Sequence, residues 1–356
     1  MSNNNTLPKV AISVGDINGI GYEIIAKTLA NKEILEIFTP VIFGSTRHLN
    51  FYKNLLEMDY LHFYGIHSID KAIDKKINVF NIWKEGPEIE PGQSTKEAGS
   101  MAYESLKAAA QAVKDGFCDV LVTAPINKNN IQSEAFNFPG HTEYLGEVWG
   151  GNPLMFLVSD KLKVSMVTQH IPLQEVAKSI NKKNIAQKIH ALHDSLVKDY
   201  GVRKPKIAVL GLNPHSGDGG LLGTEEQEII IPAIQSVFKK DILVYGPYAA
   251  DSFFTPNNLK MFDAILGMYH DQVLTPFKTI SFEDGVNYTA SLPYVRTSPD
   301  HGVAYDIAGK GIADETSFRE AIYTAIDIFK KRREYEEITA NILQTQELNT
   351  DKNSDQ

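Results

Sequence analysis

Short apolar runs alternate along the chain with longer stretches in which apolar residues recur every three or four positions. The short runs are rich in β-branched residues and predict strands, at residues 9–15, 40–44, 119–123, 155–159, 164–168, 206–211, 242–245 and 263–267. The longer stretches predict helices, at residues 19–31, 94–115, 182–200, 224–239 and 315–332. Alternation of this kind predicts an α/β fold, with helices packed on the faces of a sheet.

No linker, repeat or low-complexity tract divides this pattern. The chain has 356 residues, of which 43% are hydrophobic, so it can bury a sizeable core. We expect two interleaved α/β lobes over residues 9–340, with the chain crossing between them. Residues 1–8 are expected to be disordered, and the polar tail over residues 341–356 is expected to fray.

The charge and cysteine content exclude several classes of function. A net charge of −9 leaves no general basic footprint for nucleic acid. The single cysteine, Cys118, excludes an intrachain disulfide and a multi-cysteine zinc site, and it is typical of a reducing compartment. No apolar run approaches the roughly 18–20 residues that a membrane span needs. We therefore expect a cytoplasmic protein with no nucleic-acid or membrane partner.

Three histidines follow three of the predicted strands: His170, His215 and His270. In open α/β sheets ligands bind outside the carboxyl ends of the strands, so three imidazoles placed there can converge on one metal ion. Three protein ligands would leave a position open for substrate, as in catalytic sites. A single histidine at a strand end is more often a hydrogen-bonded loop residue, and no short zinc signature such as HExxH is present.

Two segments could bind an anion. Lys278, Asn287 and Arg296 lie within residues 275–298, which are expected to be irregular because Gly285 and Pro293 interrupt them. An arginine contacts phosphate or carboxylate through two hydrogen bonds, and a lysine supplies a point charge. The alternative is a solvated loop with ordinary surface cations. The second segment, residues 140–143, enters a predicted helix, where free N–H groups suit an anion.

Two segments could bind a nucleotide. The turn GDINGIG at residues 15–21 follows a strand and opens a helix, but its glycines do not fit G-x-G-x-x-G, so a tight turn explains it equally well. Residues 300–314, DHGVAYDIAGKGIAD, are here called the nucleotide loop because they resemble the loop that holds NAD in isopropylmalate and isocitrate dehydrogenases. The alternative is a glycine-containing turn before the last helix.

That resemblance implies roles for three residues of the nucleotide loop. The small residues Gly302 and Ala304 would let the backbone approach the cofactor. The carboxylate of Asp306 would accept hydrogen bonds from both ribose hydroxyls and repel a 2′-phosphate, which favours NAD over NADP. Tyr305 stands where the other loops have proline.

Taken together, eight motifs resemble those of the 4-hydroxythreonine-4-phosphate dehydrogenase family of pyridoxal phosphate biosynthesis. They occur in the family's order over roughly residues 9–335 and are GDINGIG (15–21), TAPINK (123–128), GHTE (140–143), QHIPL (169–173), LNPHSGDGG (212–220), AAD (249–251), YHDQ (269–272) and LPYVRTSPDHG (292–302). The chain departs from the family at Ile17, Asn18 and Tyr22, where Pro, Ala and Pro are usual.

The resemblance implies an isocitrate/isopropylmalate dehydrogenase-like fold, with two lobes sharing a sheet core and an NAD site that is not of the Rossmann type. It also implies a homodimer with active sites at the subunit interface. A divalent metal, which is usually zinc but can be magnesium or cobalt, would be bound by His170, His215 and His270 drawn from both subunits. The residues that would contact the substrate are His141, Thr142, Lys278, Asn287 and Arg296.

The implied reaction is the NAD- or NADP-linked oxidation of 4-phosphooxy-L-threonine at its 3-hydroxyl. The product, 2-amino-3-oxo-4-phosphooxybutanoate, would decarboxylate to 3-amino-2-oxopropyl phosphate. Asp251 and Lys128 are candidates for the proton acceptor because both lie in family motifs after strands, and the sequence does not rank them.

Three alternatives stay open. A sister enzyme on the same scaffold would be a 4-phospho-D-threonate or 4-phospho-D-erythronate 3-dehydrogenase or a dihydrodiol dehydrogenase. A metal-dependent lyase or isomerase would not need NAD. A non-catalytic binding protein on an acyltransferase-like scaffold would not need an open metal site.

Overall fold

The computed structural model describes residues 7–83 and 87–341, and most of the predicted disordered N-terminus and frayed tail lies outside this range. The described residues form twelve strands: β1 (Lys9–Ser13), β2 (Thr39–Gly44), β3 (Phe63–Ile66), β4 (Ile77–Asn81), β5 (Val120–Thr123), β6 (Leu154–Val158), β7 (Lys163–Met166), β8 (Lys206–Leu210), β9 (Leu243–Tyr248), β10 (Ala264–Gly267), β11 (Val286–Ala290) and β12 (Val295–Pro299).

The same ranges contain eleven α-helices: α1 (Gly21–Ala30), α2 (Thr46–Leu55), α3 (Lys96–Lys114), α4 (His141–Trp149), α5 (Leu173–Ser179), α6 (Lys182–Lys198), α7 (Ile231–Phe238), α8 (Ala250–Phe253), α9 (Pro256–Met261), α10 (His270–Ile280) and α11 (Thr316–Thr339). Short 3₁₀-helical segments lie at Lys32–Glu36 and Ile69–Lys71, and a π-helical turn at Glu226–Ile230 precedes α7. Residues Pro214–Gly220 form a tight loop, most of which has a positive φ. No helix within these ranges is long and apolar enough to cross a membrane.

All twelve strands belong to one sheet, in the order β3-β4-β2-β1-β5-β12-β11-β6-β7-β10-β8-β9. The first six strands in this order are parallel to one another, and so are the last four. Between the two groups, the pairings β12–β11, β11–β6 and β6–β7 are antiparallel. Three reversals make the two parallel groups run in opposite directions, with the change of direction at the centre of the sheet.

Helices cover both faces of the sheet, which confirms the predicted α/β fold. On the first face, Val10 and Ile12 of β1 belong to the same apolar cluster as side chains of α1, α6 and α11. On the second face, Ala11 packs with α3 and α4, and Phe277 of α10 belongs to the cluster beneath β6 and β7. Every predicted strand and helix is present, although the last helix is longer than expected.

The expectation that residues 275–298 are irregular is wrong. They contain the last turns of α10, all of β11 and most of β12. The two strands were missed because polar side chains, among them Asn287 and Arg296, replace the usual apolar residues on the second face. The preceding residues, Val286 and Val295, keep the apolar pattern, but their side chains lie on the first face. These polar positions are where the candidate site lies.

Candidate active site

A cleft of about 480 Å³ lies on the second face of the sheet, between α4 and α10. It spans the centre of the sheet, where the strand direction reverses, and is called the central cleft below. Nine of the residues singled out from the sequence line it: Lys128, His141, Thr142, His170, His270, Lys278, Asn287, Arg296 and Gly302.

Arg296 is the most deeply buried charged residue of the central cleft, with 2% of its surface exposed. Its Nε and Nη2 donate to Oγ1 of Thr123 at 3.2 and 2.6 Å, and Nη1 donates to Oγ1 of Thr289 at 3.0 Å. No described carboxylate forms an ion pair with it. Burial lowers the pKa of the guanidinium to about 9, so it is still a cation at neutral pH. A buried cation with only neutral partners calls for an anion.

The amino end of α4 faces the same cleft. Gly140 at its N-cap supplies no side-chain hydrogen bond. The first backbone N–H groups of this nine-residue helix can therefore donate to a ligand. Nε2 of His141 is buried and has no partner. Burial lowers the pKa of this imidazole well below its usual value, and the charges of Arg296 and Lys128 lower it further. The imidazole of His141 is therefore neutral, and its Nε2 can either donate one hydrogen bond to a ligand or accept one from it.

Lys278 and Asn287 complete the polar lining. Nζ of Lys278, on α10, lies 3.7 Å from Oδ2 of Asp300, which follows β12. Burial raises the pKa of Asp300, and the nearby ammonium of Lys278 opposes the rise. Oδ1 of Asn287 is a second buried atom without a partner. Buried polar atoms are normally paired, so these orphans mark a place for a polar ligand.

His170 and His270 come together at one edge of the central cleft, with ring centroids 5.6 Å apart. Nδ1 of His270 lies 2.7 Å from Oδ1 of Asp271, which can orient the ring. The two histidines follow β7 and β10, which are adjacent and parallel, so the argument from strand ends holds for this pair. Two imidazoles at this spacing can supply two ligands to one metal ion.

His215 does not join that pair. It lines a neighbouring cleft of about 750 Å³ together with Asp251, which we call the His215 cleft. Asp271 and Thr275, in the first turns of α10, line both clefts. Within residues 7–83 and 87–341 no group of three or more His, Cys, Asp or Glu side chains is arranged to hold a metal. One chain therefore brings together two of the three predicted ligands.

His215 lies on a strained loop. Five consecutive residues, 215–219, have φ between 43 and 81°, and three of them are not glycine. Left-handed conformations cost roughly 1–2 kcal/mol for such residues and persist only where surrounding contacts enforce them. The buried carboxylate of Glu226 holds the start of this loop: it accepts from the backbone N of Leu212 at 2.7 Å and of Asn213 at 2.8 Å, and from the Asn213 side chain at 2.9 Å. The same carboxylate packs against Gly217, where an added Cβ would lie 2.7 Å from it.

The nucleotide loop continues from the central cleft. Gly302 lines the cleft, and a Cβ added to it would meet nothing within 4 Å, so there is open space at its backbone. Nε2 of His301 is buried without a partner, and burial lowers the pKa of that ring. Ala304 has a left-handed φ of 44°, and Asp306 is exposed. An open backbone, an orphan nitrogen and an exposed carboxylate suit a nucleotide.

Several cleft residues were not singled out from the sequence. Glu143, Asp271, Asp300 and His301 all line the central cleft. Each lies inside a motif already quoted for its neighbour: GHTE, YHDQ and the DHG of residues 300–302. Their position next to a candidate ligand could have marked these polar residues as part of the site. The sequence alone could not tell which of them face the cleft.

Comparison with known proteins points to one family. Residues 36–325 match the family described as pyridoxal phosphate biosynthetic protein PdxA. A 4-hydroxythreonine-4-phosphate dehydrogenase from Bacteroides thetaiotaomicron is 49% identical over 340 residues, which cover 95% of this chain and 93% of that protein. A solved 4-hydroxythreonine-4-phosphate dehydrogenase from Klebsiella pneumoniae has a TM-score of 0.78 and 33% identity, covering 90% of this chain and 99% of that one.

Another relative carries a different substrate in its name. A protein of Oceanobacillus iheyensis, provisionally named a D-threonate 4-phosphate dehydrogenase, is 39% identical over 326 residues. The match covers 90% of this chain and 98% of that protein.

Proposed function

Because the chain belongs to the PdxA family of pyridoxal phosphate biosynthetic proteins, we propose that it is an NAD-dependent dehydrogenase of a phosphorylated hydroxy acid. The proposed substrate is 4-phosphooxy-L-threonine, oxidised at its 3-hydroxyl to 2-amino-3-oxo-4-phosphooxybutanoate. This β-keto acid loses CO₂ to give 3-amino-2-oxopropyl phosphate.

The observation that carries the proposal is the buried, unpaired guanidinium of Arg296. Its partners among the described side chains, Thr123 and Thr289, are neutral, so the charge is left for a ligand. Lys278 and the free amino end of α4 add further positive potential to the same cleft. A substrate with both a phosphate and a carboxylate supplies the anions that this lining needs, and His141, Thr142 and Asn287 supply neutral hydrogen bonds.

The two candidates for the proton acceptor lie in different clefts. Lys128 lines the central cleft together with Arg296 of the same chain, so a substrate hydroxyl bound in that cleft would share it with this amine. Asp251 lines the His215 cleft and would approach the substrate only together with His215. Either side chain could take the hydroxyl proton as hydride leaves C3.

A divalent metal would be held by His170, His270 and His215, with the third ligand coming from a second copy of the chain. The spacing of the first two rings and their imidazole nitrogen donors fit zinc and cobalt. Magnesium prefers oxygen ligands, so it would need most of its ligands from water or substrate. When bound, the metal supplies Lewis-acid polarisation of the substrate hydroxyl. Because one chain offers only two of the three histidines together, we propose that the active unit is a homodimer.

Exposed apolar side chains support an interface beside both histidine loops. Leu221 and Leu222, which follow the His215 loop, are 79% and 43% exposed, and Leu173, near His170, is 72% exposed. Large apolar side chains rarely cluster in water around a polar loop unless another surface covers them.

NAD would lie along the nucleotide loop, with its reactive ring entering the central cleft beside Gly302. The open space at that glycine and the orphan nitrogen of His301 fit the cofactor. The exposed carboxylate of Asp306 would bind the ribose hydroxyls and disfavour NADP. NAD, when bound, supplies the hydride acceptor.

The decisive experiment follows NAD⁺ reduction at 340 nm with 4-phosphooxy-L-threonine and 4-phospho-D-threonate in parallel, with zinc, cobalt or magnesium added to each. We expect a kcat/KM at least about tenfold higher for the first substrate. A preference for 4-phospho-D-threonate would instead indicate the sister activity, which is the one that the name of the Oceanobacillus relative gives. Consumption of substrate without NADH would mean a lyase or isomerase, and no turnover at all would leave a binding protein.

A further inference from the structure

We propose that the N-terminal turn and helix α1 form a clamp that holds the nucleotide loop in its cofactor-binding shape, with Tyr305 and Lys27 as positioning residues. The inference rests on the proposed function, because it assumes that NAD binds along residues 300–314. It assigns a role to the GDINGIG turn, whose glycines do not form a dinucleotide fingerprint.

The clamp holds the first half of the loop at two adjacent points. The backbone N of Ile20 donates to the carbonyl of Val303 at 3.1 Å. The hydroxyl of Tyr305 donates to Oδ2 of the buried Asp16 at 2.7 Å. A Cβ on Gly19 would come within 2.8 Å of the Val303 carbonyl, so this approach requires glycine.

Between these two points the backbone is strained. Ala304 has φ of 44°, a left-handed conformation that a free loop would leave. The contacts of Val303 and Tyr305 on either side fix that residue. Gly92 packs against the same turn. A Cβ on Gly92 would lie 2.9 Å from the Tyr305 carbonyl, so this close packing favours glycine there.

The clamp holds the second half of the loop through a lysine. Nζ of Lys27 donates to the carbonyls of Gly311 at 2.9 Å and Ala313 at 2.6 Å. Oε1 of the fully buried Glu23 accepts from this Nζ at 3.0 Å and from the backbone N of Ala313 at 2.8 Å. Both residues come from α1, so one rigid helix holds the end of the loop.

The exposed carboxylate of Asp306 lies between the two held regions. A loop that is already fixed at both ends pays less ordering entropy when a ligand binds to it. The same Tyr305 hydroxyl also accepts from Nδ2 of Asn127 at 3.0 Å, and the next residue, Lys128, lines the central cleft. One phenol therefore joins the N-terminal turn, the nucleotide loop and the segment that carries a candidate proton acceptor.

The test compares Tyr305→Phe and Lys27→Met with the wild type, using NADH fluorescence and titration calorimetry for NADH and for inorganic phosphate. We expect the Kd of NADH to rise about tenfold in each variant, which corresponds to about 1.4 kcal/mol, while the Kd of phosphate stays unchanged. Hydrogen exchange over residues 302–314 should be faster in both variants without NADH, and saturating NADH should restore the protection.

Tyr294→Phe is the matched control. Its hydroxyl donates to the carbonyl of Lys114 at 3.3 Å and lines neither cleft, so all three measurements should match the wild type. Unchanged NADH affinity and exchange in Tyr305→Phe, with wild type still binding NADH, would overturn the clamp alone. Equal losses of phosphate and NADH binding would show a general structural role and also overturn it. A wild type that binds no NADH would overturn the proposed function, and the clamp with it.

Discussion

The central cleft and the His215 cleft share the first turns of α10 but are built in different ways. The central cleft rests on β11 and β12 in the middle of the sheet, and its key cation, Arg296, is 2% exposed. The His215 cleft is formed by loops and short helices, and His215 itself is exposed on a left-handed loop. In the central cleft a buried cation faces a space for an anion. In the His215 cleft, within the part of the chain that the structure describes, His215 belongs to no group of three potential metal ligands.

The difference separates anion binding from metal binding. Adjacent sheet strands fix the positions of Asn287 and Arg296, so one chain can recognise an anion. The three histidines that we propose as metal ligands divide between the clefts, so in the proposed enzyme a second copy of the chain would complete that set. In the proposed enzyme, a monomer would bind phosphate but would not oxidise the substrate.

The largest expected effect comes from replacing His215. His215→Ala should lower kcat/KM on the order of 1,000-fold, because loss of metal polarisation removes about 4 kcal/mol of transition-state stabilisation. Metal content measured by mass spectrometry should fall, whereas the affinity for inorganic phosphate should not change. His193→Ala, on the outer helix α6, is the control. Full activity in a metal-free His215→Ala protein would remove His215 from the metal site.

Mixing two inactive variants tests whether the site is shared between subunits. After His215→Ala and His270→Ala proteins are unfolded and refolded together, half of the dimers combine one chain of each kind. Each such dimer has one intact site, so about a quarter of the wild-type activity should return. If activity stays at the level of the separate variants, the three histidines do not meet across an interface.

The next effect concerns the central cleft. Arg296→Met should raise KM for the phosphorylated substrate about 100-fold, since two charge-assisted hydrogen bonds contribute about 3 kcal/mol. Without an anion the variant should be at least as stable as the wild type, because the change removes a buried, unpaired charge. Thermal melts with and without inorganic phosphate measure both effects. Stabilisation of the variant by phosphate equal to that of the wild type would exclude Arg296 from the anion site.

A smaller effect is expected from the contact that enforces the His215 loop. Glu226→Gln keeps the shape of the side chain but places an amide N–H₂ group against donors, so the free energy of unfolding should fall by about 1–2 kcal/mol. We expect metal affinity to fall about tenfold, while calorimetry should show unchanged phosphate affinity. Glu228→Gln, at an exposed carboxylate on the same π-helical turn, is the control. Weakened phosphate binding in Glu226→Gln would mean that the two clefts are coupled.

The smallest effect is a pH dependence of stability. Burial holds the pKa of His141 well below its usual value of about 6.5, so the unfolded chain takes up the proton first as pH falls. Stability from this residue is present above about pH 6.5 and is lost as pH falls below it. Urea unfolding between pH 7 and 5.5, without phosphate, should therefore show a steeper loss for the wild type than for His141→Gln. Identical slopes would contradict the buried, neutral state of His141.

The amino-acid sequence by itself determined the class of fold and most of the residues that are candidates for the site. Strand runs such as residues 155–159 and the helix at residues 94–115 were predictable because period and composition are local properties. The histidines, the anion-binding candidates and the nucleotide loop stood out because their residue types and motifs are visible along the chain.

Only the tertiary structure decided which of these residues lie together. It turned residues 286–299 from an expected loop into two central strands, because the polar side chains of one strand face are acceptable where they line a cleft. It brought His170 and His270 together but placed His215 in the next cleft, since strand order and loop conformation depend on contacts far apart in sequence. It also joined the turn at residues 15–21 to Val303 and Tyr305, nearly 300 residues later. Pairings across such distances depend on the packed fold and are not encoded in any local pattern.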